Sequence, residues 1–188
     1  MELISKKKIK SRIKARFRKN KTIFKKNISN IFDWIKGAKL IELKECNIEE
    51  DPVRPELDNN FRTGYGRKIY GVEYLGEIHA VMCFAYTNKV PKSVDELEKL
   101  STDAFLQTAM RDQSGGQIAI AYTVWSKKKG GGKLIVKEVF KKIKKSNHLN
   151  RLVTLSPLTD MATKFHERNG AKLIQINETT QNFEYKVL

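Results

Sequence analysis

The chain has 188 residues, of which 40% are hydrophobic and 31% charged, and its net charge at neutral pH is +16. This length and apolar content suffice for one core, and the small number of Pro and Gly residues excludes a low-complexity chain. Two cysteines, Cys46 and Cys83, are too few for a disulfide framework or a cysteine-based metal site. This cysteine usage indicates a reducing, cytoplasmic setting, and because no apolar stretch is long enough for a membrane span or a signal peptide, we expect a soluble protein that is not exported.

The N-terminal segment is strongly basic, with fourteen Lys or Arg residues and two acidic residues in positions 1–39. An apolar stripe predicts an amphipathic helix, and its members are Ile9, Ile13, Phe17, Phe24, Ile28, Ile31 and Ile35. We therefore predict an arm over residues 1–36 ahead of one domain over residues 37–188. The arm can contact a nucleic acid, lie on an anionic membrane surface or pack its stripe on the domain, and the last is slightly favoured. A transit peptide is disfavoured because Lys dominates over Arg and Ser is scarce.

The domain is predicted to begin with a loop and a hairpin. Residues 51–66 are rich in Pro, Asn and Gly, which predicts the loop. Residues 68–74 and 78–86 are β-branched and aromatic runs on either side of Leu75-Gly76-Glu77, as expected of an antiparallel hairpin.

Two short helices and a strand are predicted next. The first helix covers residues 91–99, where Ser93 and Glu96 have the spacing of a capping box. The second covers residues 104–110, and the strand covers residues 117–125.

A basic glycine turn over residues 126–133 joins that strand to a predicted helix over residues 134–145. Glycines let backbone N–H groups approach a ligand, and the helix N-terminus adds partial positive charge, so this unit predicts a site for an anion such as a pyrophosphate. The alternative is a flexible, solvated loop between two core elements. Residues of the turn that are candidates for anion binding are Ser126, Lys129, Gly130, Gly131, Gly132 and Lys133.

The last third repeats the strand-to-helix pattern. A strand over residues 151–155 is broken by Ser156-Pro157, and a helix over residues 159–169 ends at Gly170. Two further strands are predicted over residues 171–176 and 182–187.

This order of elements resembles the GNAT acyltransferase fold, which implies an α/β (α+β) domain with a central mixed, mostly antiparallel sheet flanked by helices. From about Gly76 onward the chain more closely resembles the catalytic domain of malonyl-CoA decarboxylase. The motifs that carry the resemblance are Ala119-Ile120-Ala121-Tyr122-Thr123-Val124, Leu134-Ile135-Val136-Lys137-Glu138-Val139, Leu155-Ser156-Pro157-Leu158, Phe165-His166-Glu167-Arg168-Asn169-Gly170-Ala171 and Gln175-Ile176-Asn177.

The resemblance implies that Ser156 and His166 are catalytic and that the turn from Lys129 to Lys133 cradles the coenzyme A pyrophosphate. Malonyl-CoA would be converted to acetyl-CoA and CO2, with the thioester as substrate and no metal or tightly bound cofactor. Such a reaction needs donors for the enolate oxygen and a proton source for the carbon, which a Ser hydroxyl and a His can supply. Without the resemblance, Ser156 reads as a turn residue and His166 as a partly buried helix side chain.

Two other functions remain open at this stage. A GNAT N-acetyltransferase would move an acetyl group from acetyl-CoA to an amine, with His166 as general acid and backbone donors near Val124. A non-catalytic protein of the same fold would bind nucleic acid or a membrane surface through its arm. The acceptor and the oligomeric state are not indicated by the sequence.

Overall fold

The computed structural model describes residues 33–111 and 116–185, without the side chains of residues 109–111. The chain divides into two units after Ala38. In the first unit residues 33–37 are helical, and the rest of the predicted arm lies outside the described residues. No helix in the described ranges is long and apolar enough to cross a membrane.

Eight strands of the second unit form one sheet. Its order is β1-β2-β3-β4-β5-β8-β6, and β7 pairs with β8. The pairs are antiparallel except for β4 and β5, which run parallel, so the predicted mixed, mostly antiparallel sheet is confirmed. The strands are β1 (Lys39–Leu43), β2 (Lys68–Tyr74), β3 (Glu77–Thr87), β4 (Ile118–Ser126), β5 (Arg151–Thr154), β6 (Ser156–Pro157), β7 (Ala171–Ile176) and β8 (Thr180–Tyr185).

The predicted hairpin is β2 and β3, joined by a two-residue turn. Leu75 and Gly76 both have positive φ, at 54° and 81°. Two successive residues with positive φ give a turn whose twist matches that of the flanking strands. Strand β1 was not predicted, and its five residues pair with β2 from Lys39 opposite Glu73 to Leu43 opposite Ile69.

Among the described residues four α-helices accompany the sheet, and the first two of them were predicted differently. The predicted loop contains a short helix, whose N-cap Asp58 accepts from Phe61 N–H at 2.7 Å. The two helices predicted after the hairpin form one continuous helix. No Gly or Pro separates them, and the Ser101 hydroxyl donates to Glu98 O within the helix at 3.1 Å. The helices are α1 (Asn59–Thr63), α2 (Val94–Arg111), α3 (Gly131–Lys144) and α4 (Asp160–Arg168).

Helices α2 and α3 cover opposite faces of the sheet. Leu97 of α2 belongs to a core cluster with Val81 and Cys83, two odd-numbered residues of β3. Gly131 of α3 lies against the even-numbered Ala80, so that a Cβ at this glycine would be 3.3 Å from the Ala80 Cβ. Successive strand side chains point to opposite faces, which places the two helices on different sides.

The parallel strands β4 and β5 separate after a short paired stretch. Their register ends at Ala121 opposite Thr154, and Leu155 N–H still donates to Ala121 O at 2.9 Å. Beyond that point the guanidinium of Arg54 donates to Tyr122 O at 2.9 Å and to Leu155 O at 3.0 Å. One buried arginine therefore satisfies a carbonyl of each strand where their pairing stops, and a cleft opens at this position.

Candidate active site

A cleft of about 360 Å³ lies where β4 and β5 diverge. Val124 and Ser126 of β4 line it, together with Gly132 at the start of α3 and with Ser156 and His166. The remaining wall is largely apolar, with Met82, Val136, Leu152, Met161 and Phe165 among its residues. The structure thus brings residues of the predicted turn and both predicted catalytic side chains to one cavity.

Ser156 and His166 are in direct contact. Ser156 Oγ lies 2.8 Å from His166 Nε2, and the two residues are only 5% and 4% exposed. Ser156 is held in β6, opposite Gln181 of β8. His166 is held in α4, whose N-cap Thr159 accepts from Ala162 N–H at 3.3 Å.

Two further polar groups extend this contact into a chain. Ser156 Oγ donates to Thr154 Oγ1 at 3.0 Å, and Thr154 Oγ1 accepts from Phe183 N–H at 3.1 Å. At the other end His166 Nδ1 lies 2.9 Å from the Tyr185 hydroxyl. All four groups, Thr154, Ser156, His166 and Tyr185, are buried and line the cleft.

Sequence analysis missed Thr154 and Tyr185. Thr154 lies two residues before Ser156 in an extended segment, so period-two spacing is a signal that could have found it. Tyr185 carries no such local signal, because it reaches the site only through the pairing of β8 with β5, where it lies opposite Leu152.

Burial controls the ionisation of these hydrogen-bonded side chains. It lowers the pKa of His166 to about 4, and the ring is stacked on Phe183 with centroids 5.0 Å apart. Burial also raises the pKa of Tyr185. At neutral pH the imidazole is therefore neutral and the phenol is protonated. The Ser156 hydroxyl has one proton, and because that proton is donated to Thr154, the His166 ring carries its proton on Nε2 and donates to Ser156, while Nδ1 accepts from the Tyr185 hydroxyl.

The glycines of the turn have different structural roles. Gly130 is the N-cap of α3 with φ 87°, a left-handed conformation that favours glycine. A Cβ at Gly131 would lie 2.9 Å from Ser126 Cβ, and one at Gly132 would lie 3.1 Å from Phe165 Cε2. Of the residues predicted to bind coenzyme A, Val124, Ser126 and Gly132 line the cleft. The other four, Lys129, Gly130, Gly131 and Lys133, are not in its lining.

The charges at the site are unevenly distributed. From Lys127 to Lys137 the chain carries five Lys and no acidic residue, so the region around the α3 N-terminus is positive. In the cleft lining, Glu50 and Lys127 carry the formal charges and pair with each other at 2.7 Å. Within the described ranges no group of three His, Cys, Asp or Glu side chains could hold a metal ion.

A second cavity of about 760 Å³ adjoins the cleft and shares Glu50 and Lys127 with it. It lies beside β1, the β2–β3 turn and the segment after β1. Its other polar residues are Glu45, Cys46, Asn47, Asn59, Glu77 and His79.

Neither a protein-family model nor a curated protein sequence matches the chain. Solved structures do match, and one is the GphF GNAT-like decarboxylase in complex with isobutyryl-CoA, with a TM-score of 0.62, 10% identity and coverage of 80% of this chain and 100% of that chain. The fold is a GNAT-like fold. The fold that the sequence motifs led us to expect is thereby confirmed.

Other solved structures are similar as well. A Bacillus subtilis acetyltransferase in complex with CoA matches with a TM-score of 0.54 and 13% identity, over 80% of this chain and 99% of that chain. Malonyl-CoA decarboxylase from Agrobacterium vitis matches with a TM-score of 0.52 and 15% identity, over 78% of this chain and 40% of that chain. The similarity therefore spans two fifths of the decarboxylase chain.

Proposed function

We propose that this protein binds an acyl-coenzyme A thioester in the cleft between β4 and β5 and converts malonyl-CoA to acetyl-CoA and CO2. The observation that carries the proposal is the 2.8 Å contact between Ser156 and His166 in the wall of a cleft that Gly132 also lines. A helix N-terminus and a polar catalytic pair thus belong to one cavity.

Coenzyme A binding is supported by the electrostatics of α3. Its first N–H groups have no intrahelical acceptor, and the helix dipole makes this end partially positive, which suits a pyrophosphate. The segment from Lys127 to Lys133 adds four lysines in seven residues. Two of the similar structures, the GphF decarboxylase and the Bacillus subtilis acetyltransferase, hold isobutyryl-CoA and CoA at this fold.

Decarboxylation is supported by the cleft lining, in which no described side chain offers an unpaired positive charge to a carboxylate. His166 is neutral at pH 7, and Lys127 is paired with Glu50. A malonyl carboxylate there would be desolvated by apolar walls, which costs free energy. That cost falls when CO2 leaves, because the negative charge is then delocalised over an enolate. Cleavage of the C–C bond moves the electron pair onto the thioester oxygen.

The buried hydrogen-bonded side chains supply a donor for the enolate oxygen and a route for the proton. We assign the Ser156 hydroxyl as donor to the enolate oxygen and His166 as the group that orients Ser156 and returns its proton. Tyr185 orients the ring through Nδ1, as a third group does for a catalytic His in other enzymes. One proton is taken up from solvent for each CO2 released, which completes acetyl-CoA.

The test is turnover of malonyl-CoA by the full chain, followed as acetyl-CoA and CO2. His166→Gln and Ser156→Ala should each lower kcat about 100-fold or more, while calorimetric titration with coenzyme A should give a Kd within about threefold of the original protein. His148→Gln is the matched control, because His148 is exposed and contacts only Ser146 in the described hydrogen bonds. No turnover, or equal turnover by all three variants, would contradict the proposal.

A second candidate function is N-acetyl transfer, which the second cavity favours. Glu45 and Glu77 line it beside the Glu50–Lys127 ion pair, and a cavity with these two carboxylates next to the thioester cleft suits a cationic amine acceptor. Acetyl-CoA should then be consumed only when an amine is added, with no CO2 from malonyl-CoA. Binding of nucleic acid or an anionic membrane through residues 1–36 stays a prediction, checked by the salt dependence of binding with and without those residues.

A further inference from the structure

Two cysteines that lie on different elements meet at one arginine. Arg62 of α1 places Nη1 3.4 Å from Cys83 Sγ and 3.8 Å from Cys46 Sγ. Cys83 is a fully buried residue of β3, and Cys46 follows β1. Leu43 and Cys83 lie at the same level of the sheet, both opposite Ile69 of β2, and the residues after β1 bring Cys46 to Arg62.

The rest of the Arg62 side chain is occupied by other acceptors. Its Nη2 forms an ion pair with Asp51 at 2.9 Å and donates to Arg54 O at 2.8 Å, and its Nε donates to Leu57 O at 2.8 Å. Nη1 is therefore the donor that faces the sulfurs. A fully buried guanidinium held in this way stabilises negative charge on a neighbouring thiol.

The two thiols differ in access and in ionisation. Cys46 is half-buried and lines the second cavity, whereas Cys83 is enclosed. The hydrogen bond with Cys83 and the charge of Arg62 lower the pKa of Cys46 to about 7, against burial and the charge of Asp51. Burial raises the pKa of Cys83. At neutral pH the accessible sulfur is partly a thiolate and its buried neighbour is a thiol.

From this geometry we infer that Cys46 and Cys83 are a modification site, a dithiol that a peroxide-class oxidant closes to a disulfide. The Cys46 thiolate attacks a peroxide oxygen, which forms an S–O bond, breaks the O–O bond and releases hydroxide that is protonated to water. The Cys83 sulfur then attacks Cys46, forming the S–S bond and breaking the S–O bond, and its proton leaves with the oxygen as a second water. Two thiols are oxidised and one hydrogen peroxide is reduced to two waters.

The site is connected to the thioester cleft. The segment between Cys46 and Arg54 supplies Glu50, Pro52 and Val53 to the cleft wall. Asp51 in the same segment accepts from Thr123 of β4, with 2.9 Å to each carboxylate oxygen. Disulfide formation removes the contacts of Arg62 Nη1 with the two sulfurs and draws the start of this segment towards β3. Because the segment forms part of the cleft wall, we expect coenzyme A binding to weaken. This second effect rests on the proposed function.

The dithiol is tested by treating the full chain with hydrogen peroxide and measuring its intact mass. We expect a loss of two hydrogen atoms, one disulfide-linked peptide pair holding Cys46 and Cys83 after non-reducing digestion, and full reversal by dithiothreitol. Cys83→Ser should stop at one added oxygen on Cys46, and Cys46→Ser should not react at the same dose. Oxygen addition to the original protein without a disulfide, or no reaction, would overturn the inference.

A measurement on the unsubstituted chain guards against variants that fail to fold. Alkylation of Cys46 by iodoacetamide should rise with a midpoint near pH 7, and a midpoint near the ordinary thiol value would overturn the assignment. The coupling is read separately, as coenzyme A affinity before and after oxidation, with a loss of about threefold or more expected in the original protein and none in Cys46→Ser. A disulfide that leaves affinity unchanged refutes only the coupling. Absence of coenzyme A binding by the reduced protein refutes the proposed function and leaves the disulfide result standing.

Discussion

Acidification should destabilise this protein through His166. The ring is 4% exposed and neutral in the folded state, where burial lowers its pKa from 6.5 to about 4. In the unfolded chain the ring regains its ordinary pKa and binds a proton first as the pH falls. The contribution of neutral His166 to stability is therefore fully present above about pH 6.5 and is lost progressively down to about pH 4.

The size of this loss follows from the two pKa values. One pKa unit corresponds to about 1.4 kcal/mol, so at pH 4 the free energy of unfolding should be about 3 kcal/mol lower than at pH 7 through this residue alone. That is a large share of the stability of a typical domain, which is about 5–15 kcal/mol.

The assay is urea unfolding between pH 7 and pH 4 for the original protein, His166→Gln and the surface control His148→Gln. A Gln amide can donate and accept hydrogen bonds but does not titrate, so His166→Gln should have a shallower pH dependence by about 3 kcal/mol over this range. His148→Gln should follow the original protein. Parallel curves for all three proteins, or a His166 ring resonance that shifts between pH 7 and pH 5.5 as a protonating imidazole does, would refute the reasoning.

Two other substitutions test the geometry of the site. Tyr185→Phe removes the hydroxyl 2.9 Å from His166 Nδ1, and because the buried nitrogen loses its partner we expect about 1–3 kcal/mol less stability in urea unfolding and a lower kcat for malonyl-CoA. An unchanged kcat would contradict the orienting role. Gly131→Ala places a Cβ 2.9 Å from Ser126 Cβ, and overpacking of about 1–3 kcal/mol should outweigh the helix propensity of Ala, lowering stability and coenzyme A affinity. A gain in stability would show that the turn accommodates the methyl group.

Elements with strong local signals were predicted well from the chain. The hairpin of β2 and β3 has Leu75 and Gly76 at its turn, and α4 ends before Gly170 at φ 87°. The N-terminus of α2 is also as predicted, since Ser93 Oγ accepts from Glu96 N–H at 3.1 Å. Helix α3, in contrast, begins three residues earlier than predicted, because Gly131 and Gly132 are in its first turn although glycine is a poor helix former.

Some residues of the candidate site could be identified from the sequence and others could not. Ser156 and His166 were identified from the motifs that surround them, and their 2.8 Å contact requires only a short turn and α4 between them. Tyr185, Arg54 and the meeting of Cys46 with Cys83 had no local signal. Each depends on segments that are distant in the chain, as in the bonds from Arg54 to Tyr122 O and Leu155 O.

Turn residues, helix caps and apolar periodicity act within a few positions of the chain, which is why sequence reasoning located most strands and helices and the glycine turn. Strand pairing acts between residues far apart in the chain, and it alone sets β8 beside β5, separates β4 from β5 and buries His166 against Phe183. Burial decides the ionisation of His166, and the contacts of Arg62 and Cys83 decide that of Cys46, because the cost of charge depends on the surrounding dielectric and on partners that only the folded chain supplies.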